Sequence, residues 1–145
     1  MKCATHQIEE DQSEDCLTVN IWVPKEVLLG KIWKDQVPIV YYIHGGGFNH
    51  GSNQADFFEL VRRNWLRIMT VLLEIYFSFF NHSSQSVMVV SIAYRLGLFG
   101  SLYVDNASEE FQGNWGIQDI IGAMTWSQFY APKLGGDTND AALSV

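Results

Sequence analysis

Basic residues are scarce in this 145-residue sequence. Nine lysines and arginines are outnumbered by sixteen aspartates and glutamates, which gives a formal net charge of −7 at pH 7 and a pI near 4.9. The basic side chains that cluster are Arg62, Arg63 and Arg67. Because binding to a phosphate backbone needs clustered lysines and arginines, this charge balance argues against a nucleic-acid partner.

Long apolar runs are also missing. The run from Ile68 to Phe80 is interrupted by Glu74 and is shorter than the roughly 20 residues that cross a bilayer. No membrane partner is therefore expected, and an anchor over residues 65–80 is kept as the alternative. The first ten residues, MKCATHQIEE, lack the apolar core of a secretory signal, so either the protein is cytosolic or its true beginning is missing.

Cysteine occurs twice, as Cys3 and Cys16, with a polar segment between them. The residues alone leave two interpretations open, namely two free thiols or a disulfide that closes a short loop in an oxidising compartment. Asn81 and Asn106 each begin an N-x-S tripeptide and are candidate N-glycosylation sites, which is compatible with secretion.

Three apolar segments predict strands. CLTVNIWVP alternates apolar and polar residues, which predicts a half-buried strand with Leu17, Val19, Ile21 and Val23 on one face. The continuous runs 37–43 and 87–92 are rich in β-branched and aromatic residues, which is typical of strands covered on both faces of a parallel sheet. Residues 25–37 between the first two strands predict a loop or a long hairpin.

Two segments have apolar residues at helical spacing. One has its apolar positions from Leu60 to Phe80, and the other carries Ile117, Ile120, Ile121, Met124 and Phe129 before Pro132 and Gly135 end it. The sequence after Gly135 predicts a loop and the start of another strand. The alternation of strands with helices favours an α/β fold.

The motif HGGGF, residues 44–48, follows the first buried run directly. Glycines at such a place permit a positive φ or a close backbone approach, and their free N–H groups can stabilise a negative charge that develops on a carbonyl oxygen. A flexible turn, a strand–helix packing site and a phosphate cradle are the alternatives. The phosphate cradle is disfavoured because neither of the glycine-rich phosphate-binding motifs is present.

Five blocks carry a family resemblance: SEDCLTVNIWVP, PIVYYIHGGGFNHGS, VVSIAYRLGLFGSL, GNWGIQDIIGAMTW and LGGDTND. In this order they resemble the N-terminal blocks of type-B carboxylesterases, the α/β-hydrolase family that includes the cholinesterases. The resemblance covers about half of the chain. It implies the N-terminal portion of an α/β-hydrolase sheet with flanking helices, here a partial domain over residues 1–145.

The resemblance also implies roles for individual residues. Gly46 and Gly47 match the glycines whose amides form two arms of the family's oxyanion hole, with Gly45 supporting them. Cys16 matches a family cysteine that pairs with an upstream one, for which Cys3 is the candidate. The matched blocks make Tyr94, Arg95, Asn114 and Asp119 framework residues, with a carboxylate expected beside Arg95.

The family's nucleophile elbow, of form G-x-S-x-G, does not occur in this sequence. By alignment on LGGDTND the nucleophilic serine is expected beyond Val145, because Ser144 comes too early and has no flanking glycines. The acid and histidine of the triad follow the serine in chain order, so no catalytic triad residue is expected here. Residues 62–85 are longer than the family needs and are interpreted as an insertion or a gene-model artefact.

The function expected from these observations is that of an N-terminal fragment of a serine carboxylic-ester hydrolase. Such a fragment would carry the oxyanion-hole loop without the triad and would be inactive alone. The alternative is a fragment of a non-catalytic, cholinesterase-like adhesion or binding protein, although an unaltered HGGGF favours the enzyme. The full-length parent would take a small-molecule ester, would need neither metal nor cofactor, and would be secreted or lie in the secretory-pathway lumen.

Overall fold

A computed structural model describes residues 2–5, 12–29, 36–57, 61, 86–103 and 113–145. Several predictions fall outside these residues: the helix with apolar positions from 60 to 80, except for residue 61, the insertion at 62–85, the anchor at 65–80 and the sequons at Asn81 and Asn106. They remain predictions. None of the helices in the described residues could span a lipid bilayer.

The described strands and helices follow in chain order. The strands are β1 (Lys2–Cys3), β2 (Gln12–Ser13), β3 (Val19–Trp22), β4 (Val37–Ile43), β5 (Met88–Ile92) and β6 (Gly136–Ser144). The helices are α1 (Lys25–Leu28), α2 (Gly97–Ser101) and α3 (Trp115–Tyr130), and a 3₁₀ turn (Ala131–Leu134) follows α3.

Four strands form one mixed sheet in the order β3-β5-β4-β6. β4 is parallel to both β5 and β6, and β3 is antiparallel to β5. All five residues of β5 are buried, and Val37, Ile39, Tyr41 and Ile43 of β4 lie in the core. The continuous apolar runs therefore form the covered centre of the sheet, as predicted.

β3 is half-buried, as its sequence pattern predicts, but it is shorter than the predicted strand. Val19, Ile21 and Val23 pack against the core, but Leu17 precedes the strand and is 53 % exposed. The prediction that Leu17 shares the buried face was wrong. The alternation of apolar and polar residues includes Leu17, but the pairing of this segment with β5 begins only at Val19.

The segment between β3 and β4 does not form a hairpin. β5 lies between these two strands in the sheet, and the connection includes the single helical turn of α1. The hairpin alternative was therefore wrong, because strands that are consecutive in sequence are not neighbours here. The predicted terminal strand is present as β6, but the loop predicted before it was wrong, because Gly136 already pairs with Val37 of β4. The pairing with β4 has a register irregularity at Pro38/Ile39.

α3 occupies the predicted helical segment and ends where Pro132 and Gly135 indicate. Tyr130 is its last residue, and Gly135 adopts a left-handed φ of 88° after the 3₁₀ turn. Ile120 is buried and Met124 packs against the core, whereas Ile117, Ile121 and Phe129 are exposed. The helical spacing is thus correct, but the described elements cover only one side of this apolar helix.

The two cysteines form a disulfide, Cys3–Cys16, as the family resemblance implies. Cys3 lies in β1, which pairs in parallel with β2, and both cysteines are buried in the core cluster. The disulfide therefore ties the start of the chain to the segment that leads into β3.

Candidate functional site

The glycine loop begins where β4 ends, at the carboxyl edge of the central parallel strands. Gly46 and Gly47 have φ values of 128° and 59°, which are in the region that favours glycine. Among the described residues, the N–H groups of Gly46 and Gly47 donate to no protein acceptor. Two amide donors are therefore free beside the end of a buried strand.

The Gly46 carbonyl holds the turn together. It accepts hydrogen bonds from the Asn49 N–H at 3.1 Å, the His50 N–H at 3.3 Å and His50 Nδ1 at 2.6 Å. A Cβ at Gly46 would overlap the His50 carbonyl and its ring. Position 46 therefore requires glycine for space as well as for φ.

Phe48 continues the left-handed conformation, with a φ of 60°. A bulky residue in this region costs about 1–3 kcal/mol and persists only where its surroundings hold it. The Gly97 N–H donates to the Phe48 carbonyl at 2.7 Å, and the Phe48 ring lies edge-on to Tyr94 with centroids 6.2 Å apart. The turn between β5 and α2 thus fixes the far end of the glycine loop.

His44 is buried at the base of the loop. The Tyr94 hydroxyl donates to the His44 carbonyl at 2.8 Å, and the two rings stack with centroids 4.5 Å apart. His44 Nδ1 lies 3.1 Å from the Gly45 carbonyl, so this nitrogen carries the proton. A Cβ at Gly51, where φ is 118°, would overlap the His44 ring, so the chain passes directly against it.

The surroundings of the His44 imidazole disfavour its charged form. Burial lowers its pKa below the ordinary value, the hydrogen bond to the Gly45 carbonyl acts in the opposite direction, and the nearby His50 lowers it further. The ring therefore supports the loop through its hydrogen bond to Gly45 and its stacking on Tyr94.

The end of β6 lies beside the start of the glycine loop. Ser144 pairs with Tyr42 in the parallel ladder, two residues before His44. Because parallel strands end at the same edge of a sheet, the carboxyl ends of β4 and β6 are adjacent. The glycine loop therefore starts at the edge of the sheet where β6 also ends.

Arg95 and Asp119 form the ion pair that was expected at Arg95. Arg95 Nε and Nη2 each lie 2.7 Å from the Asp119 carboxylate, which also accepts the Arg95 backbone N–H at 3.1 Å. The bonds to Asp119 raise the pKa of the guanidinium. This pair joins the end of β5 to α3 and has a framework role, and the Arg95 guanidinium also lies over the Trp115 ring.

Asn114 immediately precedes α3 and has a φ of 53°. Its carbonyl accepts the Gln118 N–H, although its side chain makes no capping bond to the helix. The preceding Gly113 also has a positive φ, and a Cβ there would overlap the Leu102 carbonyl. Asn114 thus shapes the entry into α3, which agrees with the predicted framework role.

Two residues near the loop were missed from the sequence. No role was assigned to His50 from the sequence, and its exposed ring bonds to the Gly46 carbonyl. Asn53 is 2 % exposed, donates to Thr18, and accepts at its carbonyl from Asn20 and Ser91. The position of His50 four residues after Gly46, within a turn, is a signal that could have identified it.

The family model for carboxylesterases matches residues 1–144. The chain belongs to the carboxylesterase family. It is 28 % identical over 137 residues to gut esterase 1 of Caenorhabditis elegans, covering 94 % of this chain and 20 % of the relative. It is 33 % identical over 135 residues to an acetylcholinesterase of Leptinotarsa decemlineata, covering 86 % of this chain and 19 % of the relative.

The solved structure of a PNB esterase matches the fold of this chain. The TM-score is 0.70 at 26 % identity, over 98 % of this chain and 25 % of the esterase. These similarities confirm the predicted family and the α/β-hydrolase fold. The chain spans about a fifth of the length of the curated relatives it matches.

Proposed function

We propose that this chain supplies the oxyanion-hole portion of a serine carboxylic-ester hydrolase. The observation that carries this proposal is the pair of free amides, Gly46 and Gly47, in the loop that follows β4 at the sheet edge where β6 also ends. A nucleophile elbow that follows directly on β6 would place its serine beside these amides. The membership in the carboxylesterase family supports this reaction class.

The chemistry assigned to the site is acyl transfer. The serine Oγ bonds to the ester carbonyl carbon, its proton passes to the triad histidine, and the carbonyl oxygen becomes negatively charged. The N–H groups of Gly46 and Gly47, with one further amide expected from the elbow, would bind that oxygen. The histidine then protonates the departing alcohol, and water releases the acid from the acyl-enzyme.

This proposal assigns no nucleophile to residues 1–145. The chain alone is accordingly expected neither to hydrolyse a chromogenic acetate ester nor to be labelled by a serine-directed phosphonate. Turnover or labelling of the purified chain that survives further purification would contradict this part of the proposal.

The oxyanion role can be tested in a chimera in which this chain is joined after Val145 to the elbow-bearing remainder of the PNB esterase. Gly46→Ala should lower kcat about 10²- to 10³-fold, because the new Cβ overlaps His50 and displaces a donor. Gly122→Ala is the matched control, since its Cβ would meet nothing within 4 Å. Labelling by a phosphonate shows that the chimera has an active serine. If the Gly46→Ala variant of such a chimera keeps full kcat, the oxyanion assignment is overturned.

A further inference from the structure

The peptide unit between Gly46 and Gly47 has one end in the turn and the other at the proposed oxyanion site. Its carbonyl oxygen belongs to Gly46 and accepts three hydrogen bonds, from the Asn49 N–H, the His50 N–H and His50 Nδ1. Its N–H belongs to Gly47 and is free among the described residues. Any group that polarises this carbonyl therefore also acts on the Gly47 donor.

Within the described residues, the His50 side chain is the one that hydrogen-bonds to this peptide. Its Nδ1 lies 2.6 Å from the Gly46 oxygen, at the short end for a nitrogen–oxygen hydrogen bond. A carbonyl oxygen can only accept, so Nδ1 must carry the proton. The contact is possible because position 46 has no Cβ, which would overlap both the His50 ring and its carbonyl.

We propose that His50 is a positioning residue for the oxyanion hole: its Nδ1–H fixes and polarises the Gly46–Gly47 peptide, which aims and strengthens the Gly47 N–H donor. This inference rests on the proposed function, because it assigns His50 a role at that same site. Hydrogen bonds in series strengthen one another by about 10–30 % per bond.

The size of the effect follows from the value of one oxyanion donor. Removing such a donor costs about 10²- to 10³-fold in kcat, so a 10–30 % change in its strength corresponds to roughly a 1.5- to 8-fold change. The effect should be in kcat with KM unchanged, because the negative charge on the oxygen develops only in the transition state.

The direct test is nuclear magnetic resonance of the ¹⁵N-labelled 145-residue chain. His50→Phe removes the donor and should move the Gly47 amide proton upfield, whereas His50→Asn places an amide N–H near the position of Nδ1 and should restore the wild-type shift. Gln54→Ala, an exposed change further along the same loop, is the control and should leave the Gly47 signal unmoved. An unmoved Gly47 signal in His50→Phe would overturn the inference.

The same variants in the chimera separate this inference from the proposed function. His50→Phe should lower kcat roughly 1.5- to 8-fold, His50→Asn should recover it, and Gln54→Ala should have no effect. If Gly46→Ala lowers kcat about 10²- to 10³-fold while His50→Phe leaves kcat intact, the oxyanion assignment stands and the role of His50 is refuted. If Gly46→Ala also leaves kcat intact, both the oxyanion assignment and the role of His50 are refuted.

Discussion

Two buried tyrosines in this chain provide a matched test of how the glycine loop is held. Tyr94 is 2 % exposed and donates its hydroxyl to the His44 carbonyl at 2.8 Å. Tyr41 is 3 % exposed, and its buried hydroxyl has no hydrogen-bond partner among the described residues. Burial raises the pKa of both phenols, so both hydroxyls stay protonated at neutral pH. Replacing each with phenylalanine removes one oxygen from a buried site.

The two substitutions should have opposite consequences. Tyr94→Phe removes a hydrogen bond and leaves the His44 carbonyl buried without a partner, which should lower the free energy of unfolding by about 1–3 kcal/mol. With a urea m-value of about 2 kcal/mol/M, the midpoint should fall by roughly 0.5–1.5 M. Tyr41→Phe removes a hydroxyl whose burial was uncompensated, so its midpoint should be unchanged or higher.

The assay is urea unfolding of the disulfide-intact chain, followed by tryptophan fluorescence and by circular dichroism to test whether the two transitions coincide. Equal midpoint losses for Tyr94→Phe and Tyr41→Phe would refute the reasoning, because both changes would then report only packing. A loss confined to Tyr94→Phe would locate the stabilisation in the bond to His44.

Three further predictions concern stability and use the same urea assay. Gly51→Ala should lower the free energy of unfolding by about 2–4 kcal/mol, because its Cβ overlaps the His44 ring at a φ of 118°. Gly122→Ala should raise the free energy of unfolding by about 0.5–1 kcal/mol, because its Cβ stands in open space on a helix. Equal effects of the two substitutions would contradict this reasoning. Cys16→Ser removes the disulfide with Cys3 and should lower the free energy of unfolding by about 3 kcal/mol relative to the oxidised chain. An unchanged urea midpoint would show that the disulfide does not stabilise the fold. Because folding lowers the pKa of His44, the unfolded state binds more protons in acid than the folded state does. The free energy of unfolding should therefore fall as the pH drops below about 6.5, by at most about 1.4 kcal/mol per pH unit. His44→Asn should make that fall less steep.

The sequence predicted the individual elements better than their arrangement. Residues 37–43 and 87–92 are continuous apolar runs, and a strand covered on both faces needs such a run whatever lies beside it. The order of strands carries no such local signal. β5 separates β3 from β4 although a long stretch of chain precedes it, and no side-chain pattern within these strands specifies which neighbour each one takes.

The candidate site was also predicted unevenly. Gly46 and Gly47 were identified because a run of glycines after a buried strand is a local pattern with a chemical meaning. The contacts that shape this loop come from residues about fifty positions away, such as the Tyr94 hydroxyl on the His44 carbonyl. A tyrosine that acts through a backbone acceptor has no sequence signature of its own, since any carbonyl can receive its bond.

The short turn after β5 is therefore as much a part of the proposed oxyanion hole as the glycines are. Within four residues it provides the Tyr94 hydroxyl to the base of the loop, the Gly97 N–H to the Phe48 carbonyl, and the Arg95 side chain to Asp119 on α3. A left-handed Phe48 is costly by itself, so HGGGF without this turn would relax to other conformations. The motif supplies the free amides, and the turn that begins at Tyr94 holds them in one geometry.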